Sequence, residues 1–134
     1  MNDHRATVGQ IYEAFGRGDT LTILQHIADD VQWEYAWDES PMPWLAPGCG
    51  RGHVDRFFTM LAEHLEFNRF ELNHVLSGDG LVVALVSLDA TVKSTGKHIV
   101  ETDEAHIWYF DANGKVRKFR HAADTLQQHQ ALQR

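Results

Sequence analysis

The stretch Lys118-Phe-Arg-His-Ala-Ala-Asp-Thr125 holds two side chains able to move a proton, His121 and Asp124, three positions apart on what reads as a strand. Strand side chains alternate between faces, so these two are expected to point opposite ways. In an apolar enclosure a carboxylic acid has its charged form disfavoured, which lifts its pKa toward the range useful for general acid–base work, while a neighbouring arginine pushes it down. Asp124 with Arg120 fits that chemistry if both face inward. Earlier, Glu104, His106 and Trp108 alternate along one face of another strand. His106 could donate to a developing oxyanion or shuttle a proton, or it could be a core histidine bonded to Glu104 or Tyr35. Glu104 is costly to bury unpaired and so implies a partner or a task.

Upstream, Val31-Gln-Trp-Glu-Tyr-Ala-Trp37 places Trp33, Tyr35 and Trp37 on one strand face, where they and Trp44 could stack on a flat ring or simply fill a core. With a reference pKa of about 10, the Tyr35 phenol is a donor rather than a base. The nine histidines show no H-x-x-x-H spacing and the single Cys49 rules out C-x-x-C, so no metal site is expected. A set of Glu104, His106 and Asp124 has suitable ligand types but no spacing that demands a metal. No organic cofactor is implied.

These residues need elements to hold them. Val8, Ile11, Tyr12 and Phe15 fall at helical spacing from Ala6 to Arg17, and Asp19 or Thr20 caps a shorter helix carrying Leu21, Leu24 and Ile27 that ends at 28–30. The first strand is expected over 31–37. Residues 38–52 hold all three prolines and read as a loop long enough to be a lid. A third helix is expected from His53 to Leu65, then strands at 70–76, 81–93, 97–110 and 115–123 separated by turn sequences. Helices followed by an antiparallel sheet make an α+β fold, and 134 residues with 43% hydrophobic and 23% charged side chains suit one domain, 1–134, whose core needs no disulfide. The net charge of -7 with no basic run argues against nucleic acid. No apolar run nears the roughly 20 residues of a membrane span, and the N-terminus lacks a signal-peptide core, so a soluble, cytoplasmic protein is expected.

Turn type sets the register. A three-residue loop Ala112-Asn113-Gly114 would pair Thr102 with Asp124, Glu104 with Ala122, His106 with Arg120 and Trp108 with Lys118, putting Asp124 and Arg120 on the pocket face. A two-residue Asn-Gly turn would slip the pairing by one and bring His121 beside His106 instead. Read as three residues, Ser94-Thr95-Gly96 sets His98 against Val92, Glu104 against Val86 and His106 against Ala84. The opposite face, with Val83, Leu85, Ile107, Tyr109, Phe119 and His121, is apolar enough to need a homodimer partner as cover.

The segments I-Y-E-A-F-G-R-G-D-T-L-T-I-L-Q-H-I-A-D-D-V-Q-W and G-R-G-H-V-D-R-F-F, followed by A-H-I-W-Y-F-D-A-N-G-K-V, resemble the nuclear transport factor 2-like superfamily, most closely its SnoaL-like branch. The resemblance implies a cone in which three N-terminal helices close one face of a curved, mainly antiparallel sheet over an apolar pocket, the other face commonly serving dimerisation. The ketosteroid isomerase base, tyrosine donor and aspartic-acid donor match Tyr35, Ile11 and His106 here, and the epoxide hydrolase pair matches Val86 and Leu88, so neither of those activities carries over. The carboxylate ten residues after the last-turn glycine does match, as Asp124. The expectation is a cofactor-independent cyclase-, isomerase- or dehydratase-like enzyme acting on a small, largely apolar molecule. Asp124 would be its acid/base, His106 or Tyr35 would polarise an oxygen, and Trp33, Trp37, Glu104, Trp108 and Arg120 would line the pocket. The competing expectation is a non-catalytic binder of a small hydrophobic ligand.

Overall fold

The computed structural model describes residues 3–134. Helix α1 spans His4–Gly16, started by the Asp3 side chain, which accepts from the Ala6 amide at 3.1 Å, and buries Val8, Ile11 and Ala14. Asp19 caps the five-residue α2, Thr20–Leu24, as its position before a short apolar run suggests. The chain then turns directly into β1, Ile27–Trp33. The expected helix to 28–30 fails because Ile27 and Val31 are completely buried on a strand that pairs with the strand over 116–122, the last in the sequence. In the proline-rich loop a single 3₁₀ turn, Pro43–Leu45, drives Met42, Trp44 and Leu45 into the core, so this segment is a packed plug. After β2, Gly48–Cys49, come α3, Arg51–His64, and four long strands: β3, Leu65–Gly78; β4, Leu81–Val92; β5, His98–Phe110; and β6, Val116–Ala122. Helix α4, Thr125–Leu132, follows.

One six-stranded sheet has the order β2-β1-β6-β5-β4-β3, antiparallel throughout except where β1 runs parallel to β6. Register shifts interrupt β3/β4, β4/β5 and β5/β6, and each bends its strand. The curved sheet is covered on its concave side by α1, α2 and α3, and one core cluster ties Val8 and Ile11 to Val54, Phe57, Trp108 and Phe119. A second cluster joins the plug to β4, β5 and α4 through Trp44, Leu45, Val86, Ile99 and Ala131. The three helices of the N-terminal half are thus joined by a fourth at the C-terminus.

Two irregularities decide which side chains face inward. In the β5–β6 hairpin, Asp111 and Lys115 close the expected three-residue loop, and Phe110 pairs with Val116 as that loop requires. One residue on, Arg117 has no opposite number: Tyr109 pairs with Lys118, so Trp108 meets Phe119, His106 meets His121 and Ile107 meets Arg120. The turn is the expected one, and the bulge after it undoes the expected face assignment. Phe119 and His121 therefore belong to the concave face, contrary to expectation. In the β4–β5 hairpin the loop is four residues, since the Val92 amide bonds the Lys97 carbonyl and His98 pairs with Thr91 rather than Val92. A second bulge at Thr102-Asp103, with Asp103 at φ 57°, restores the expected pairing of Val86 with Glu104 and Ala84 with His106.

Candidate active site

The bulge in β5 has a chemical result. Before it, Ile99 and Glu101 face inward; after it, Glu104, His106 and Trp108 do, so two carboxyl groups three residues apart end on one buried face. Alternation breaks again after Trp33. Glu34 adopts φ 54°, a conformation costly for a residue with a β-carbon, and its side chain is completely buried.

These devices converge in a narrow apolar chamber of about 70 Å³, walled by Ile11, Phe15, Trp33, Phe57, Leu61 and Phe119 and floored by Tyr12, Glu104, His106, His121 and Gln128. His106 sits at the centre of a hydrogen-bond chain. The Trp108 indole donates to the Tyr12 hydroxyl at 3.2 Å, that hydroxyl lies 2.5 Å from His106 Nδ1, and His106 Nε2 lies 2.6 Å from Glu104 Oε2. Because the indole can only donate, one consistent proton arrangement sends the tyrosine proton to Nδ1 and the Nε2 proton to Glu104, leaving His106 neutral. Burial, reinforced by the charge of His121, holds the His106 pKa well below its ordinary value.

His121 behaves in the opposite way. Its ring centroid is 4.6 Å from that of His106, nearly perpendicular to it, and its Nδ1 bonds Glu34, whose carboxylate also accepts from the His121 amide at 3.2 Å. Burial works against the imidazolium, but the charge and hydrogen bond of Glu34 outweigh it and raise the pKa. With Nδ1 committed to Glu34, Nε2 is the nitrogen left for a ligand.

Deeper in, the Gln128 amide donates to Glu101 Oε2 at 2.9 Å and Glu104 Oε1 at 3.4 Å, while its carbonyl accepts from Trp44 Nε1 at 2.8 Å. Glu101 Oε1 accepts from the Asp124 amide at 2.6 Å. Burial, together with the adjacent Glu104, pushes the Glu101 pKa up to about 8, so Glu101 holds its proton at neutral pH. Burial likewise raises the Tyr12 phenol far above its usual range. One donor is left over: the buried Trp33 indole N–H has no partner among the described residues.

The expected residues divide cleanly. Trp33, Glu104, His106 and Trp108 line the chamber. Asp124 does not. It caps α4, accepting from the Gln127 amide at 3.1 Å, and reaches the site only through its own backbone N–H on Glu101. Arg120 lies on the other sheet face, opposite Ile107. Tyr35 is turned outward by the Glu34 conformation; it packs edge-on to Tyr109 at 6.0 Å under the Lys118 ammonium, and burial and that tyrosine push its pKa up to about 12. Trp37 packs against the plug rather than the chamber. Tyr12, Glu34, Glu101, Gln128 and an inward His121 are the residues that periodicity alone did not assign. Signals for them existed: Tyr12 is on the apolar stripe of α1, and four polar residues in a row, Glu101 to Glu104, interrupt a strand and mark a bulge. Glu104, His106 and His121 also offer three metal-ligand atoms within 4.8 Å of one another, although Glu104 and His106 already bond each other.

A six-stranded, mostly antiparallel sheet packed with four helices is an α+β arrangement of the nuclear transport factor 2-like kind. The family model of the SnoaL-like domain matches residues 8–119, and the chain belongs to that family. Among solved structures it is similar to an NTF2-like protein of Burkholderia thailandensis, 26% identical with a TM-score of 0.83 over 100% of both chains. It is also similar to an NTF2-like protein of Burkholderia pseudomallei, 24% identical with a TM-score of 0.82 over 100% of both chains. A protein of Xanthomonas campestris described as a candidate polyketide cyclase is 18% identical, with a TM-score of 0.72 over 96% of each chain. No curated protein matches. No helix among the described residues is long and apolar enough to cross a membrane.

Proposed function

We propose that the chain is a small-molecule enzyme of SnoaL-like type that moves a proton on a largely apolar, carbonyl-bearing substrate, with the His121–Glu34 pair as its acid and Glu104 as its base. The observation that carries this reading is the buried cluster itself: ligand atoms of Glu104, His106 and His121 lie within 4.8 Å of one another, and Glu34 holds His121 toward its charged form against the effect of burial. The His121 imidazolium, held by Glu34, donates from Nε2 to the substrate oxygen as negative charge develops there. Glu104 is the carboxylate placed to take the proton from the neighbouring carbon, and Tyr12, His106 and Gln128 fix its orientation. Asp124 contributes by capping α4 and aiming its amide at Glu101.

The convex face carries Leu76, Val83, Leu85 and Ile107 in neighbouring positions, which supports its burial against a second copy of the chain. Proton exchange at the α-carbon of 2-octanone, followed by NMR in D2O, tests the proton-transfer step whatever product the natural substrate gives. His121→Ala is expected to slow exchange by about 10²-fold or more, and Glu34→Gln to slow it with His121 present. Full exchange in His121→Ala would overturn the assignment, and tight binding without exchange in the wild type would favour a non-catalytic binder.

A further inference from the structure

The chamber is too small for the kind of molecule its walls invite. At about 70 Å³ it has roughly half the volume of an apolar cavity able to hold benzene, about 150 Å³. Immediately outside, a cleft of about 710 Å³ runs between α1, α2, α3 and β3, a size typical of a complete ligand site. Chamber and cleft share Leu61, Leu65 and the rings of Tyr12, Phe15, Phe58, Phe67 and Phe70, so one wall separates them. Its hub is Phe15, whose ring centroid lies 5.0 Å from that of Phe70, 5.6 Å from Phe67 and 6.0 Å from Phe58. All four rings are only half-buried, as expected for a partition with open space beyond it.

The cleft offers no free cation: its charged lining, Glu13 and Asp19, is paired with Arg17 at 3.3 and 3.4 Å, and among the described residues no lysine or arginine lines the cleft or the chamber. A carboxylate or phosphate tail would leave water for a cleft whose charged groups are already paired with one another, and would gain no partner there. On α1, Gly9 and Gly16 border the cleft, and a β-carbon built at either meets nothing within 4 Å. A glycine inside a helix is less favourable than alanine, and here it leaves room that no other side chain fills.

We infer that the substrate is elongated and uncharged: a polar oxygen head enters the chamber past the Phe15 partition, and an apolar tail longer than about four carbons lies in the α1–α2–α3–β3 cleft. The inference rests on the chamber being the reactive end, as proposed above, but concerns binding alone. It is tested by titrating the wild-type protein with 2-butanone, 2-hexanone, 2-octanone and 2-decanone, using the fluorescence of the chamber tryptophans or calorimetry. Affinity is expected to rise about fourfold for each added methylene, and 7-oxooctanoate, which carries its charge at the tail end, is expected to bind more weakly than 2-octanone. Gly9→Leu, which fills the cleft and favours the helix, is expected to flatten the chain-length dependence while leaving 2-butanone binding as it was. Affinity that levels off at four carbons, no binding through 2-decanone, or an unchanged slope in Gly9→Leu overturns the inference. Loss of proton exchange in His121→Ala with the chain-length dependence intact would separate the two readings.

Discussion

Replacing Glu101 by glutamine should change how stability depends on pH, and the sign follows from the site. In the unfolded chain this carboxyl releases its proton near the ordinary value of 4.5, whereas in the folded protein burial and Glu104 delay release to about 8. Between those values the native state binds more protons than the unfolded one, so the contribution of Glu101 to stability falls as pH rises. One pKa unit corresponds to about 1.4 kcal/mol; with sharing of the proton between Glu101 and Glu104, the loss across the interval is expected to be about 2 to 4 kcal/mol. Glutamine is neutral throughout, so Glu101→Gln should gain on the wild type by that amount between pH 5 and 8, over and above a constant offset from its altered bond to Gln128. Urea unfolding at four pH values in that range measures the difference. A difference that stays flat would refute the claim that Glu101 keeps its proton.

Tyr12→Phe removes the hydroxyl that serves both Trp108 and His106, and should cost about 1 to 3 kcal/mol in chemical denaturation with a change in tryptophan emission. Asp124→Ala should cost about 1 kcal/mol through the lost cap of α4 while 2-octanone binding persists; loss of binding in a folded variant would return Asp124 to the pocket. Light scattering at micromolar concentration should give the mass of a dimer, and Val83→Glu, on the convex face, should shift it toward the monomer with the fold retained by circular dichroism.

The architecture is legible because its signals are long and redundant: α1 is periodic over three turns, and the hairpins are bounded by glycine turns. Facing is legible only where strands stay regular. Glu104 and His106 face inward as alternation suggests because the four-residue loop after Val92 and the bulge at Asp103 offset each other. His121 defies its expected outward facing because nothing offsets Arg117, whose bulge is invisible to a count that starts at the turn. Glu34 escapes notice for a related reason: a left-handed residue reverses alternation, and glutamate is not a residue that announces that conformation. Chemistry here sits where the backbone departs from its period.

The extra residue in β6 gives the strand an uneven tolerance to changes in length. Between Val116 and Phe119, both facing inward, the chain has one residue more than pairing with β5 uses. Deleting Arg117 would leave Phe119 and His121 on the face they already occupy, and the gene could lose that codon without rewriting the chamber floor. Deleting Arg120 would turn His121 away from Glu34 and His106. In this strand, then, the distance from the bulge, more than the identity of the residue lost, decides whether a deletion is silent or removes the proposed acid.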